Sequence, residues 1–170
     1  MPLSARDVLS GFTQTLRALD AILDKGFAQA AERRIDPAVL LSARLAPDML
    51  PFTRQIQLAC DFAKNAAARL AGGENPRFPD EETTVEELKA RIAAVLAFVE
   101  GVDDQALDAG LSGEVSFPRG PSATATMRGV DYLTRFAAPN FYFHAATAYD
   151  ILRENGIQIG KQDFLKGALG

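Results

Sequence analysis

Residues 132–156 read YLTRFAAPNFYFHAATAYDILRENG and form the longest helix candidate in the chain. Leu133, Phe136, Ala137, Asn140, Phe143, His144, Thr147, Ala148 and Ile151 recur at three- and four-residue steps, which predicts one helical face turned toward a core. Pro139 sits inside that pattern, removes a backbone donor and crowds the preceding turn, so a kink is expected there. Asn155-Gly156 supplies the end. The stretch also holds the only histidine of the protein, His144. Of the neighbouring aromatics, Phe143 is expected in the core. Phe141 and Tyr142 are expected to turn away from it, onto a subunit interface, the first helix or the tail.

The rest of the chain reads as helices able to pack against this one. Ser4 caps a first helix carrying Leu9, Phe12, Leu16, Leu19 and Leu23 on one face, with Lys25-Gly26 as its expected end and a shorter piece, 27–34, following at a changed angle. Asp36-Pro37 restarts a helical turn. A second long helix is expected from about Pro47 to Leu70 on the stripe Met49, Phe52, Ile56, Ala59, Ala63, Ala66, Leu70, with Gly72-Gly73 ending it. Residues 74–83, ENPRFPDEET, are too long for a tight turn and read as an ordered crossing. Thr83-Thr84 with Glu86-Glu87 predict a capping box opening the third long helix, which ends at Gly101. Asp103 caps a further short turn. Alternation in 114–117 and 123–127 around Pro118-Arg119-Gly120-Pro121 reads as a small β-hairpin or an irregular loop.

The class is all-α. A chain of 170 residues with 48% hydrophobic and 24% charged residues fits a single domain spanning 1–170. The net charge is −4 and no basic run exceeds Arg33-Arg34, so the electrostatic footprint of nucleic-acid binding is missing. No apolar run approaches the ~18 residues of a membrane span, and the first residues lack a signal-peptide pattern. A cytoplasmic protein is expected. Cys60 is the single cysteine, read as a buried small hydrophobe. Phosphate loops, Cys-x-x-Cys pairs and serine nucleophile elbows are missing from the sequence.

Two phrases, RLAPDMLPFTRQIQLACDFAKNAAARLAG at 44–72 and APNFYFHAATAYDILRENGIQIGKQDFL at 138–165, resemble the bacterial family called domain of unknown function 1993, within the DinB/YfiT-like superfamily. The resemblance covers nearly the whole chain. It implies a four-helix bundle with a long crossover between the second and third long helices, and a homodimer. It also implies a divalent metal, such as zinc, nickel or manganese, held by three histidines in many superfamily members. His144, Leu152-Arg153 and Gly156 occupy the superfamily frame near the last helix. Asn140 stands at the second histidine position, and Asp48 or Gln55 at the third.

Three readings of these residues follow. Positions four apart on a helix share a face, so Asn140 and His144 with Asp48 form a candidate divalent-metal site. Alternatively, His144 is a hydrogen-bonded core histidine, with Asp48 accepting from its ring and Asn140 bridging a carbonyl near Pro139 or pairing with Gln55. In the third reading, Asp48 and His144 act as an acid–base pair on a small molecule.

Overall fold

The computed structural model describes residues 4–120 and 122–168. Along the chain run α1 (Ala5–Glu32), α2 (Pro37–Ser42), α3 (Phe52–Ala71), α4 (Val85–Gly101) and α5 (Asp104–Ser112). Strands β1 (Glu114–Pro118) and β2 (Thr124–Arg128) follow, then α6 (Gly129–Asp131), a π-helical segment (Tyr132–Ala137), α7 (Ala138–Glu154) and α8 (Lys161–Phe164). The long helices α1, α3, α4 and α7 pack on one another around a shared apolar core that includes Phe12, Leu16, Ile56, Ala63, Leu88, Val95, Phe141 and Ala148.

The local caps are where the sequence places them. The Ser4 hydroxyl accepts from the Arg6 amide, Asp36 accepts from Ala38, and Asp103 accepts from Ala106. Thr84 and Glu87 form the reciprocal capping box at the head of α4. Gly72 ends α3 in the left-handed conformation at φ 65°, which a glycine adopts without a Cβ clash. The hairpin is formed, with β1 and β2 antiparallel and Val115 and Phe117 buried beneath it.

Three expectations need correcting. First, α1 does not stop at Lys25-Gly26 but runs on to Glu32, and no separate helix covers 27–34. Gly26 is buried because Leu152 and Ile157 lie against it, at 3.5 Å from where its Cβ would stand. Second, the second long helix begins at Phe52, with Pro51 as its cap, and residues 47–48 form an exposed turn. Third, the aromatic triplet is rotated. Phe141 is fully buried and Phe143 is 57% exposed, although Phe141, stacked at 4.3 Å, and Tyr142 both pack on Phe12 of the first helix, one of the places expected for them.

The π-helical segment accounts for that rotation. The Ala138 amide bonds back five residues to the Leu133 carbonyl, and Pro139 has no amide to continue a regular ladder. The wider turn shifts the following register, so the buried row runs Leu133, Ala137, Phe141, Ala145, Ala148, Leu152. Asn140 and His144 fall on its half-buried flank, facing α3.

The crossover from α3 to α4 is ordered by cations. Arg91, with 2% of its side chain exposed, bonds Asp61 at 2.9 Å, Glu82 at 2.9 Å and Asp80 at 3.0 Å, and donates to the Pro79 carbonyl. Lys64 donates to the Pro76 carbonyl and lies over the Phe78 ring. Residues 74–83 therefore lie strapped against α3 and α4. The tail is held by the buried Ile157 and Ile159 and by Phe164 on Tyr149, while Leu165 is exposed.

Candidate functional site

Two rows of side chains meet where α3 packs on the π-helical segment and α7. On α3, seven-residue steps place Gln55, Phe62 and Arg69 on one face. On the π-helical segment and α7, four-residue steps give Tyr132, Phe136, Asn140 and His144. Gln55 meets His144, Phe62 meets both His144 and Phe136, and Arg69 meets Tyr132.

At one end of this seam the His144 Nδ1 lies 2.7 Å from the Gln55 Oε1. Gln55 is 1% exposed, and its amide nitrogen donates to the Leu50 carbonyl at 3.0 Å. An amide that spends its N–H there presents oxygen to the ring, so His144 Nδ1 carries the proton and donates. Nε2 is left with its lone pair. The imidazole is half-buried, stacked on Phe62 with centroids 5.6 Å apart and edged by Phe143. Burial, and then the charge of Arg54, push its pKa below the ordinary histidine value. His144 is thus a neutral base at neutral pH.

The structure brings together only part of the expected set. Gln55, named as the alternative to Asp48, is the residue that holds His144. Asp48 stands exposed in the turn before α3 and, among the described residues, makes no hydrogen bond or ion pair with His144. Its displacement follows from the late start of α3 at Phe52, since a residue in that turn no longer shares the helical face of Gln55. The Asn140 amide nitrogen donates to the Phe136 carbonyl at 2.8 Å, beside the proline, and so is tied to its own helix.

These donors do not fit a closed divalent-metal site. One imidazole nitrogen is free, one amide oxygen is nearby on the same helix, and the carboxylate is elsewhere. Among the described residues no group of three or more His, Cys, Asp and Glu side chains is arranged to hold an ion. Two contributors escaped sequence reasoning. Phe62 lies on the edge of the α3 stripe, seven residues after Gln55, a signal readable only once Gln55 was chosen. Arg54 pairs with Asp80 at 2.5 Å and with Gln57 while also acting on His144 from one residue before Gln55.

The Cys60 thiol is fully buried, and burial pushes its pKa up to about 12, with Arg91 acting in the opposite direction. It is an inert core thiol.

The family model for the domain of unknown function DUF1993 matches residues 7–165. The chain belongs to this family. A solved structure similar to this DUF1993 protein is a DinB family member protein from Shewanella denitrificans, 40% identical, with a TM-score of 0.87 over 94% of this chain and 89% of that one. No curated protein is similar enough to this chain to count as a match. No helix among the described residues is long and apolar enough to cross a membrane.

Proposed function

We propose that this DUF1993 protein binds a small organic ligand at the α3–α7 seam, with the Nε2 of a neutral His144 as hydrogen-bond acceptor. The observation that carries this reading is the two-ended clamp on Gln55. Its nitrogen is held by Leu50 and its oxygen by His144, which fixes the tautomer and leaves the Nε2 lone pair of a half-buried ring beside Phe62 and Phe143. A fixed acceptor beside aromatic faces suits a flat ligand bearing an N–H or O–H donor. Gln55 positions the ring and does not itself need to touch the ligand. We read the four long helices as a four-helix bundle supporting this seam, and the protein as cytoplasmic and dimeric.

A second reading is a purely structural polar core, in which the same Gln55–His144 bond only specifies packing. A divalent metal fits less well than either, since His144 supplies a single nitrogen. Phenol, a flat donor, distinguishes the first two. Titrated into the labelled protein, it should shift the His144 Nε2 resonance saturably, with weak affinity of about 1 mM. Absence of a saturable shift supports the structural reading and overturns the ligand site.

A further inference from the structure

The other end of the seam carries a cation without an anion. Arg69 lies in the last turn of α3, with its guanidinium 5.7 Å from the Phe117 ring centre and 5.9 Å from that of Tyr132. Its Nη1 donates to the Tyr132 hydroxyl at 3.0 Å. Among the described residues Arg69 makes no ion pair, in contrast to Arg91 and Arg54, which are each engaged by carboxylates. Of its five N–H donors, the phenol takes one, and no other Arg69 nitrogen is sealed from solvent without a partner. Nor does the guanidinium donate to a carbonyl at the end of its own helix among the described residues, its one hydrogen-bond partner being the Tyr132 hydroxyl. Fully buried Tyr132 and buried Phe117, their ring centres 5.1 Å apart, form one aromatic wall beside the guanidinium, and the Tyr132 hydroxyl anchors it there.

We infer that Arg69 is an anion-binding residue for a carboxylate carried on a flat apolar body. The fork of free N–H groups matches a carboxylate in two-point geometry. The apolar body has a surface to rest on, since the half-buried Phe62 and Phe136 continue the seam from Tyr132 toward His144. Tyr132 remains a neutral phenol, its pKa raised by burial despite the pull of Arg69, so it places no negative charge beside the incoming anion. The anion-binding end is separate from the His144 acceptor, because the two ends lie fourteen residues apart on α3, about 21 Å, although both ligand bodies would rest on Phe62.

The experiment compares 2-naphthoate with 2-naphthamide, which share a body and differ in charge. The full-length protein should bind the acid about tenfold or more tightly than the amide. Backbone resonances of Phe117, Arg69 and Tyr132 should shift with the acid. Arg69→Gln should abolish the preference, and Arg69→Lys should retain part of it through charge alone. Equal affinity for the two probes, no saturable binding of naphthoate up to about 10 mM, or an unchanged preference in Arg69→Gln would overturn the proposal. Should Arg69→Gln fail to fold, the acid-versus-amide comparison on the unaltered protein still decides. A naphthoate response confined to the Arg69 end, with His144 unmoved, supports this site and leaves the phenol experiment to judge the other.

Discussion

Replacing Gln55 with leucine tests the geometry that fixes His144. The change keeps the volume of a side chain that is 1% exposed and removes both of its hydrogen bonds, to His144 at 2.7 Å and to the Leu50 carbonyl at 3.0 Å. A net bond contributes about 1 kcal/mol, and a sealed, unpaired partner adds a further penalty. Neither partner is sealed here, since Leu50 is exposed and His144 half-buried, so water can replace part of each bond. Leucine also gains apolar burial, which offsets some of the loss. The expected net destabilisation is about 1–2 kcal/mol, a fall in Tm of about 3–6 °C for a chain of this size. Urea denaturation with unchanged m-value would measure it. His144→Phe and the double variant complete a cycle whose coupling should be about 1 kcal/mol. Zero coupling, or a Gln55→Leu protein as stable as its parent, would refute the clamp.

Other outcomes follow from the same packing. His144 contributes a pH dependence because its folded pKa lies below the unfolded one. As pH falls through the ordinary ~6.5, the unfolded imidazole takes its proton first, so stability declines below that pH and levels off only beneath the folded pKa. His144→Gln should lack this component in denaturation series between about pH 7 and 5.5, and an identical slope would contradict it. Arg91→Met should cost about 1–3 kcal/mol in urea melts, less than a fully buried ion pair would, because Asp80 keeps Arg54, Asp61 keeps Lys64 and Glu82 keeps Gln57. Gly26→Ala should stabilise by about 0.5–1 kcal/mol in urea melts, since a Cβ there meets Leu152 and Ile157 at ordinary contact distance. Gly110→Ala should do the reverse and severely, because its Cβ would fall 2.0 Å from the Leu70 carbonyl oxygen. Cys60 should react with a thiol reagent only at the rate of unfolding.

What was legible in the sequence was what local chemistry determines. Ser4, Asp36, Asp103 and Thr84 cap because a short polar side chain beside free amides has the same use in any fold. Gly72 ends a helix for an equally local reason. Gly26 carried the same mark and misled, because its neighbours Leu152 and Ile157 come from the far end of the chain and keep the helix running. The π-helical segment escaped for a related reason. Pro139 announced a disturbance, yet whether the chain bends or inserts a wider turn depends on what packs outside the helix. That choice exchanged Phe141 for Phe143 in the core. The candidate site inherited this uncertainty: His144 could be singled out by composition, but the α3 residue opposite it depended on where that helix begins. A start at Phe52 instead of Pro47 put Gln55 on the ring and Asp48 in solvent. Arg69 drew no attention, because an arginine near a helix end has an ordinary explanation until its aromatic neighbours and missing carboxylate are seen.

Because the protein has a single histidine, nitrogen-15 NMR of the imidazole can be read without assignment ambiguity. At neutral pH the ring should be uncharged, with Nδ1 bearing the hydrogen and Nε2 showing the resonance of a free lone pair. A ring protonated on Nε2 instead, or doubly protonated at pH 7, would contradict the account of His144.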